Sequence, residues 1–365
     1  MSPEKIQLSH AYITILIMGF IFGSTVVISP GGDAGHDAWL AVLIGMVEGL
    51  IFVAIFALLA QRFKGKTIVE IATLVYGPLI GKTLSLIFLA YLFHLGSLVL
   101  SNFSRFFGLI LPETPNRVFS LLIMLVCILS VQKGIEVIAR CALIFVPINI
   151  AIILADTFLL INEMKLNNLL PILDVPIDKL LLAAHGAATF PFGETVVFLM
   201  LFCYLKTPNR GILVSSFLAV ITAGMLIMII VAQNFSVLGA STAVYIYPSF
   251  QTVQNINIAD ILNRIEILVA INLLNMGIIK ISVLLFSTVS GTAQVLGLKS
   301  YRPLIIPFSI LMIFLESITN VNTPEMLEFA QKTYPIYALP FQLGIPFLTL
   351  VLAIIRRLPQ EGQLS

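Results

Sequence analysis

Apolar residues occupy this chain in blocks long enough to cross a bilayer, parted by short joints of Gly, Pro and charge. A membrane helix needs about 17–25 such residues. The blocks and their punctuation predict ten spans, at about 8–30, 38–60, 80–110, 116–131, 135–160, 179–203, 210–233, 260–295, 301–317 and 335–357. The third and eighth are too long for a perpendicular crossing and are expected to run tilted. No stretch is left for a separate soluble domain, so 1–365 reads as a single transmembrane domain. The first block has no small-residue cleavage pattern behind it and is expected to be a retained helix, not a signal peptide.

One block breaks the pattern from within. Thr189-Phe190-Pro191-Phe192-Gly193-Glu194-Thr195 sets Pro, Gly and a carboxylate inside the sixth span. A bilayer offers no water to backbone groups freed by a broken helix, so a break is tolerated where it is buried in protein or lines a cavity. Interrupted helices at matching places in two halves of a polytopic protein point to a binding site. The first span offers the match: Gly19 and Gly23 flank Phe20 to Phe22, and Ser24, Thr25 and Pro30 follow. These residues read either as a break whose free amides face an anionic group or as small residues that let helices pack closely. The break in span six favours the first. Each half also carries a polar-amphipathic connection after its second span (Gln61 to Leu79; Asn234 to Ala259) and an over-long third span. Five is odd, so the second half starts on the opposite face, which predicts inverted repeats at about 8–160 and 179–357.

Composition agrees with the spans, and charge adds an orientation. Of 365 residues, 59% are hydrophobic and 10% charged, against about 25% charged in a soluble domain; mean hydropathy is +1.06. The expected fold class is an all-α integral membrane protein. With the N-terminus inside, Lys5, Arg62, Lys64, Lys66, Lys82, Lys133, Arg140, Lys206, Arg210, Lys299, Arg302, Arg356 and Arg357 fall on the cytoplasmic side. Those thirteen stand against five outside: Arg117, Lys165, Lys179, Arg264 and Lys332. The bias puts both termini in the cytoplasm. Cys127, Cys141 and Cys203 lack metal-ligand spacing and read as packing residues.

Within span six, Pro191 lacks an N–H and Gly193 lowers the cost of non-helical backbone. Carbonyls freed near Thr189 and Phe190 are therefore candidates to accept from an ammonium group. Glu194 is the costliest residue of the run, because a carboxylate at membrane depth is normally paired, protonated or facing water. It is either a direct partner for a substrate amine or an acceptor bracing the broken segment, and its place just past the break favours the second. Glu48 on span two and Lys280 on span eight are the other deep ionisable groups. Lys280 either stands where a sodium ion would otherwise sit or closes the bundle through an ion pair, the simpler expectation. Arg105, Asp156 and Glu316 fall near span ends and are expected to reach the interface. His94, Ser97 and Asn102 on the third span and Asn272, Asn275 and Ser282 on the eighth are candidates to line one cavity, although interhelical hydrogen bonds explain most such residues. No phosphate loop, HExxH pattern or serine nucleophile set stands in a fitting context. No enzyme activity, cofactor, metal or nucleic-acid partner is expected.

Several segments together resemble a known family. They are Gly23-Ser24-Thr25-Val26-Val27-Ile28-Ser29-Pro30, Asp37-Ala38-Trp39, Arg62-Phe63-Lys64-Gly65-Lys66-Thr67 and, above all, Phe190-Pro191-Phe192-Gly193-Glu194 with Val196-Val197-Phe198-Leu199-Met200. They resemble spore germination proteins, specifically the B subunit of nutrient germinant receptors, along essentially the whole chain. That family is similar to the amino acid–polyamine–organocation (APC) transporter superfamily, so the resemblance implies a LeuT-like fold: ten helices, a five-plus-five inverted repeat, and broken helices one and six. It also implies residence in the spore inner membrane, assembly with an A subunit and a lipoprotein C subunit, and recognition of a nutrient, often an amino acid, that triggers germination. Many relatives carry a second glycine in the first-helix break where this chain has Thr25.

The site is expected at the bilayer midplane between helices one, three, six and eight. Its ligand-binding candidates are Gly23, Ser24, Thr25, Val26, Thr189, Phe190, Phe192 and Val197, with Asn102 and Asn275 from the tilted helices. Their mostly small or apolar character suits a small aliphatic amino acid. Glu194, Lys280 and Glu48 are the candidates for gating or coupling. A proton-coupled amino-acid transporter and a germinant-gated ion or water conduit would use the same helices and stand as alternatives.

Overall fold

The computed structural model describes residues 7–25, 29–206, 211–255, 266–319 and 322–359. Among them are nine helices long and apolar enough to cross a membrane and a shorter apolar helix at the N-terminal end. Eight of the spans are single helices: one is His10–Thr25, two Ala38–Arg62, three Pro78–Ile110, four Asn116–Lys133, five Ile135–Leu159, seven Gly211–Leu238, eight Glu266–Leu296 and nine Arg302–Thr319. Six and ten are composite. Span six is α-helical over Ile177–Ala187, π-helical over Ala188–Phe192 and 3-10 over Gly193–Met200. Span ten begins at Thr323, well ahead of the predicted 335, and reaches Ile355 through two π segments, Phe329–Thr333 and Pro340–Gly344.

The two polar connections each fold a short helix. Ile68–Tyr76 lies between spans two and three, opened by a capping box between Thr67 and Glu70. It ends at Gly77, whose φ of 84° favours glycine, and Pro78 then opens span three at the position where a missing N–H costs nothing. Pro248–Val253 is the counterpart between spans seven and eight.

Spans one and eight, two and seven, and three and eight pack along one another, and span six lies against span two. That last contact runs on glycine: a Cβ at Gly45 would lie 2.5 Å from the Ala184 carbonyl, and one at Gly49 2.5 Å from Phe192 Cβ. Small residues four apart on span two thus bring the break of span six against its backbone. The outward faces of spans four, five and nine carry exposed Leu and Ile, including Leu121, Leu125, Ile144, Ile148, Ile306 and Ile310. Such faces lose nothing in lipid, which is as apolar as they are.

Span one differs from expectation in one respect. Its α-helix runs regularly through Gly19 and Gly23 to Thr25, and the chain is out of helix at Ser29. No departure therefore falls at Gly19 or Gly23, and the glycines serve packing: a Cβ at Gly19 would lie 2.9 Å from Val146 Cγ2 of span five. Lys5, Val26, Arg210 and Arg264 lie outside the described residues.

Candidate functional site

The break in span six sits at Phe190, which adopts φ −128° and ψ 111° between otherwise helical neighbours. Pro191 follows directly, so the missing N–H and the extended residue coincide. Gly193 itself is helical, at φ −65° and ψ −27°. The expectation that it relaxes the backbone is corrected: a Cβ there would run into Gln342 Oε1 of span ten, so this glycine makes room for a neighbour.

Around the break buried polar side chains bond one another, with Gln342 Oε1 left without a partner among the described residues. Lys280 Nζ donates to Glu194 Oε2 at 2.5 Å, and Tyr334 OH donates to Glu194 Oε1 at 2.8 Å. Gln342 Nε2 donates to Tyr91 OH at 2.8 Å and to the Thr189 carbonyl at 3.0 Å, and the two tyrosine hydroxyls lie 3.0 Å apart. Lys280 and Glu194 are 0% and 1% exposed. A charge so placed is tolerable only when paired and hydrogen-bonded. The ammonium also lies over two rings, 4.9 Å from the centre of Phe20 and 5.2 Å from that of Phe190, which adds a cation–π attraction. Gly23 makes the pair possible: a Cβ there would stand 2.6 Å from Lys280 Cβ.

Beside this network lies a small, partly open cavity. Its walls come from span three (Leu95, Leu98, Val99, Asn102), span six (Phe190, Glu194) and span ten (Met326, Phe329, Ala330, Tyr334). The first π segment of span ten supplies part of this wall, and the second carries Gln342. Such segments recur at functional sites because they re-aim side chains that a regular helix would stack.

The sequence-selected residues divide accordingly. Phe190, Glu194 and Asn102 line the cavity, while Lys280 and Gly23 stand behind Glu194. Thr189 contributes its carbonyl to Gln342, so that acceptor is occupied, and its hydroxyl bonds back to His185 and Gly186. Thr25 likewise bonds back to Ile21 and Phe22. Ser24 lies in the last turn of span one, and its side chain is outside what is described. Phe192 turns away, against Gly49 and Gly224. Val197 is buried, and Asn275 is half-buried on span eight; neither lines this cavity.

Glu48 is about one-third exposed and pairs with His185 at 2.7 Å, apart from the Glu194 network. Asp156 and Glu316, expected to reach outward, are instead buried within the protein at 8% and 6% exposure. A carboxylate has no long stem with which to snorkel, and Glu316 instead accepts from Ser104 at 2.9 Å and Ser120 at 3.3 Å. Arg105 bonds Ser101 Oγ at 3.1 Å. The polar groups of spans three and eight do not share one cavity: His94 bonds Tyr337 OH at 2.9 Å, and Asn272 lines a separate space. Among the described residues no group of three His, Cys, Asp or Glu side chains is placed to hold a metal. Tyr91, Tyr334 and Gln342 escaped selection from sequence; the signal available was the crowding of Pro335, Pro340, Gly344 and Pro346 in span ten.

The fold is that of LeuT-like, APC-type transporters. The structure of Mhp1, a nucleobase–cation–symport-1 family transporter in a closed conformation with bromovinylhydantoin bound, matches with a TM-score of 0.69 at 12% identity, over 100% of this chain and 84% of that one. MhsT in complex with L-phenylalanine matches with a TM-score of 0.62 at 15% identity, over 96% of this chain and 98% of that one. The class is thus a multi-pass membrane protein on a ten-helix transporter fold. Within that class, the spore germination protein family profile matches residues 7–324. Spore germination protein KB of Bacillus subtilis (strain 168) is 28% identical over 364 residues, 98% of this chain and 97% of its own length. The chain belongs to the spore germination protein family; its relatives are germination proteins, its fold neighbours are transporters, and it is not an enzyme.

Proposed function

We propose that this protein is the nutrient-sensing membrane subunit of a spore germinant receptor and binds a small amino acid in the cavity between spans three, six and ten. The observation that carries the reading is the cavity's position against Glu194, at the break of span six, in a germination-family chain with a transporter fold. Glu194 offers a carboxylate to the ligand's ammonium group, and Asn102 offers an amide. Leu95, Leu98, Val99 and Ala330 provide the apolar wall that a small aliphatic side chain fits. The space is small as it stands, with room for a few water molecules, so ligand entry requires spans three, six and ten to part. The L-phenylalanine bound to MhsT supports an amino acid as the ligand class.

An amine that takes over the Tyr334 bond to Glu194 frees span ten to repack. A ligand shifts such an equilibrium only as far as it binds one packing better than the other. The expected contacts from spans one and eight thereby move behind the pair, as support for Glu194. Family membership supports germinant receptor A and C subunits as partners and the spore inner membrane as the site of residence. The charge bias supports cytoplasmic termini.

The test is reconstitution of this chain alone in liposomes with radiolabelled amino acids. Saturable binding without flux, lost in Glu194→Gln, is the expected result. Concentrative uptake would replace the receptor with a proton-coupled transporter, and binding of no amino acid would overturn the ligand class.

A further inference from the structure

Much of the buried polarity in the molecule lies away from the Glu194 cavity. At one end of the bundle, spans five, seven and eight and the short helix Pro248–Val253 line a second small cavity. Asn149 and Asp156 face it from span five, Gln233 and Asn234 from span seven, Ser249 from the short helix and Asn272 from span eight. All six are more than nine-tenths buried. The two cavities share no lining residue.

The hydrogen bonds of this group leave oxygen atoms over. Asn272 Nδ2 donates to Asn149 Oδ1 at 2.5 Å, Asn234 Nδ2 donates to Ser249 Oγ at 3.0 Å, and Gln233 Oε1 accepts from Thr157 Oγ1 at 2.8 Å. The Oδ1 atoms of Asn234 and Asn272 are buried with no partner among the described residues, as is one donor, Asn149 Nδ2. Asp156 is 8% exposed, and no basic side chain lines the cavity to balance its carboxylate. Native proteins leave few buried polar groups unpaired, and a carboxylate among apolar neighbours is the costliest group to leave without a counter-charge.

Oxygen acceptors in excess around one formal negative charge are the donor set of a hard cation. One carboxylate balances one positive charge, whereas sites for divalent ions generally recruit more. We propose that this cavity binds a monovalent metal cation, sodium or potassium, ligated by Asp156 and by the amide oxygens of Asn234 and Asn272. The ligands reach it from spans five, seven and eight, and Asn234 is bonded to the short helix through Ser249. The ion therefore pins that helix to the bundle and stabilises the folded state by mass action.

The experiment uses the purified full chain in lipid nanodiscs. Thermal unfolding is compared in sodium, potassium and N-methylglucamine chlorides at equal ionic strength, and bound radioactive sodium and rubidium, the latter standing for potassium, are counted. Saturable binding of at least one ion, at about one per chain, is expected, with a higher Tm in the corresponding salt. Asp156→Asn should weaken that binding at least tenfold and remove the Tm difference. Glu316→Gln, a buried carboxylate with its own serine partners, should change neither. Absence of saturable binding by the wild-type protein would show that the cavity holds water alone and would overturn the proposal. Undiminished binding by Asp156→Asn would do the same. Should that variant not fold, Asn272→Ser carries the test, since unchanged ion affinity without its amide oxygen contradicts the ligand set.

Discussion

The junction of spans one and eight and the junction of spans three and six hold equivalent places in a five-plus-five repeat, yet they are built in opposite ways. At the first, glycine lets the helices close: a Cβ on Gly23 would meet Lys280 Cβ at 2.6 Å and the Met276 carbonyl at 3.1 Å, and one on Gly19 would meet Ile279 Cγ2 at 3.6 Å. At the second, span three keeps off span six; Tyr91, Tyr334 and Gln342 fill part of the gap, and the cavity takes the rest. Repeat symmetry places two possible sites, and side-chain volume decides which of them is open. Span ten is the wedge, and its two π segments let it present Phe329, Ala330 and Gln342 towards spans three and six.

The severest test of this contrast is the ion pair that joins the junctions, since Lys280 belongs to one and Glu194 to the other. Lys280→Met strands a carboxylate at 1% exposure, and removing one partner of a buried pair costs about 3–5 kcal/mol. Glu194→Gln strands the lysine with a similar loss. The double variant Glu194→Gln/Lys280→Met should regain most of the stability, because no unpaired charge is left. Denaturant melts in detergent measure all three. Losses that simply add in the double variant would mean that the two residues do not act as a pair.

A smaller effect tests whether the first junction is sealed. Gly23→Ala forces Lys280 or the span-eight backbone to yield, and overpacking of this kind costs about 1–3 kcal/mol. Gly32→Ala is the control, since a Cβ there meets nothing within 4 Å, and its change should stay within about 0.5 kcal/mol. If the two variants melt alike, the closeness of spans one and eight is not what holds that side shut.

The break at Phe190-Pro191 is legible in sequence because a bilayer makes proline and a carboxylate conspicuous inside an apolar block. The spans, the paired connections and the depth of Glu194 follow from the same physics. What a single chain hides is azimuth, the face on which a residue points. Phe192 lies two residues from Phe190 but turns towards Gly49 and Gly224, because the π and 3-10 turns rotate side chains away from the α-helical register. Asn102 and Asn272 look alike on their long helices, spans three and eight, and end in different cavities. Tyr334 and Gln342 carry no charge and look like ordinary members of span ten, so only its unusual proline content hints that the helix is irregular. Asp156 and Glu316 show the limit of reading depth from distance to a span end, since both lie near one and both are buried.

The last test concerns the open junction and has the least effect on folding. Ala330 sits in the first π segment of span ten and lines the cavity, so Ala330→Leu extends three carbons towards that partly open space. Filling a void adds apolar contact without displacing neighbours, and the stability change should stay within about 1 kcal/mol. Ligand binding should respond very differently. The added side chain occupies the wall expected to receive the amino acid's apolar group, and a loss of more than about 1.4 kcal/mol in binding reads as over tenfold in Kd. Equilibrium binding to the reconstituted protein, set beside its melt, separates the two quantities. A variant that folds normally and binds as the wild type would move the ligand out of the span three, six and ten cavity, and the contrast between a sealed and an open junction would lose its functional meaning.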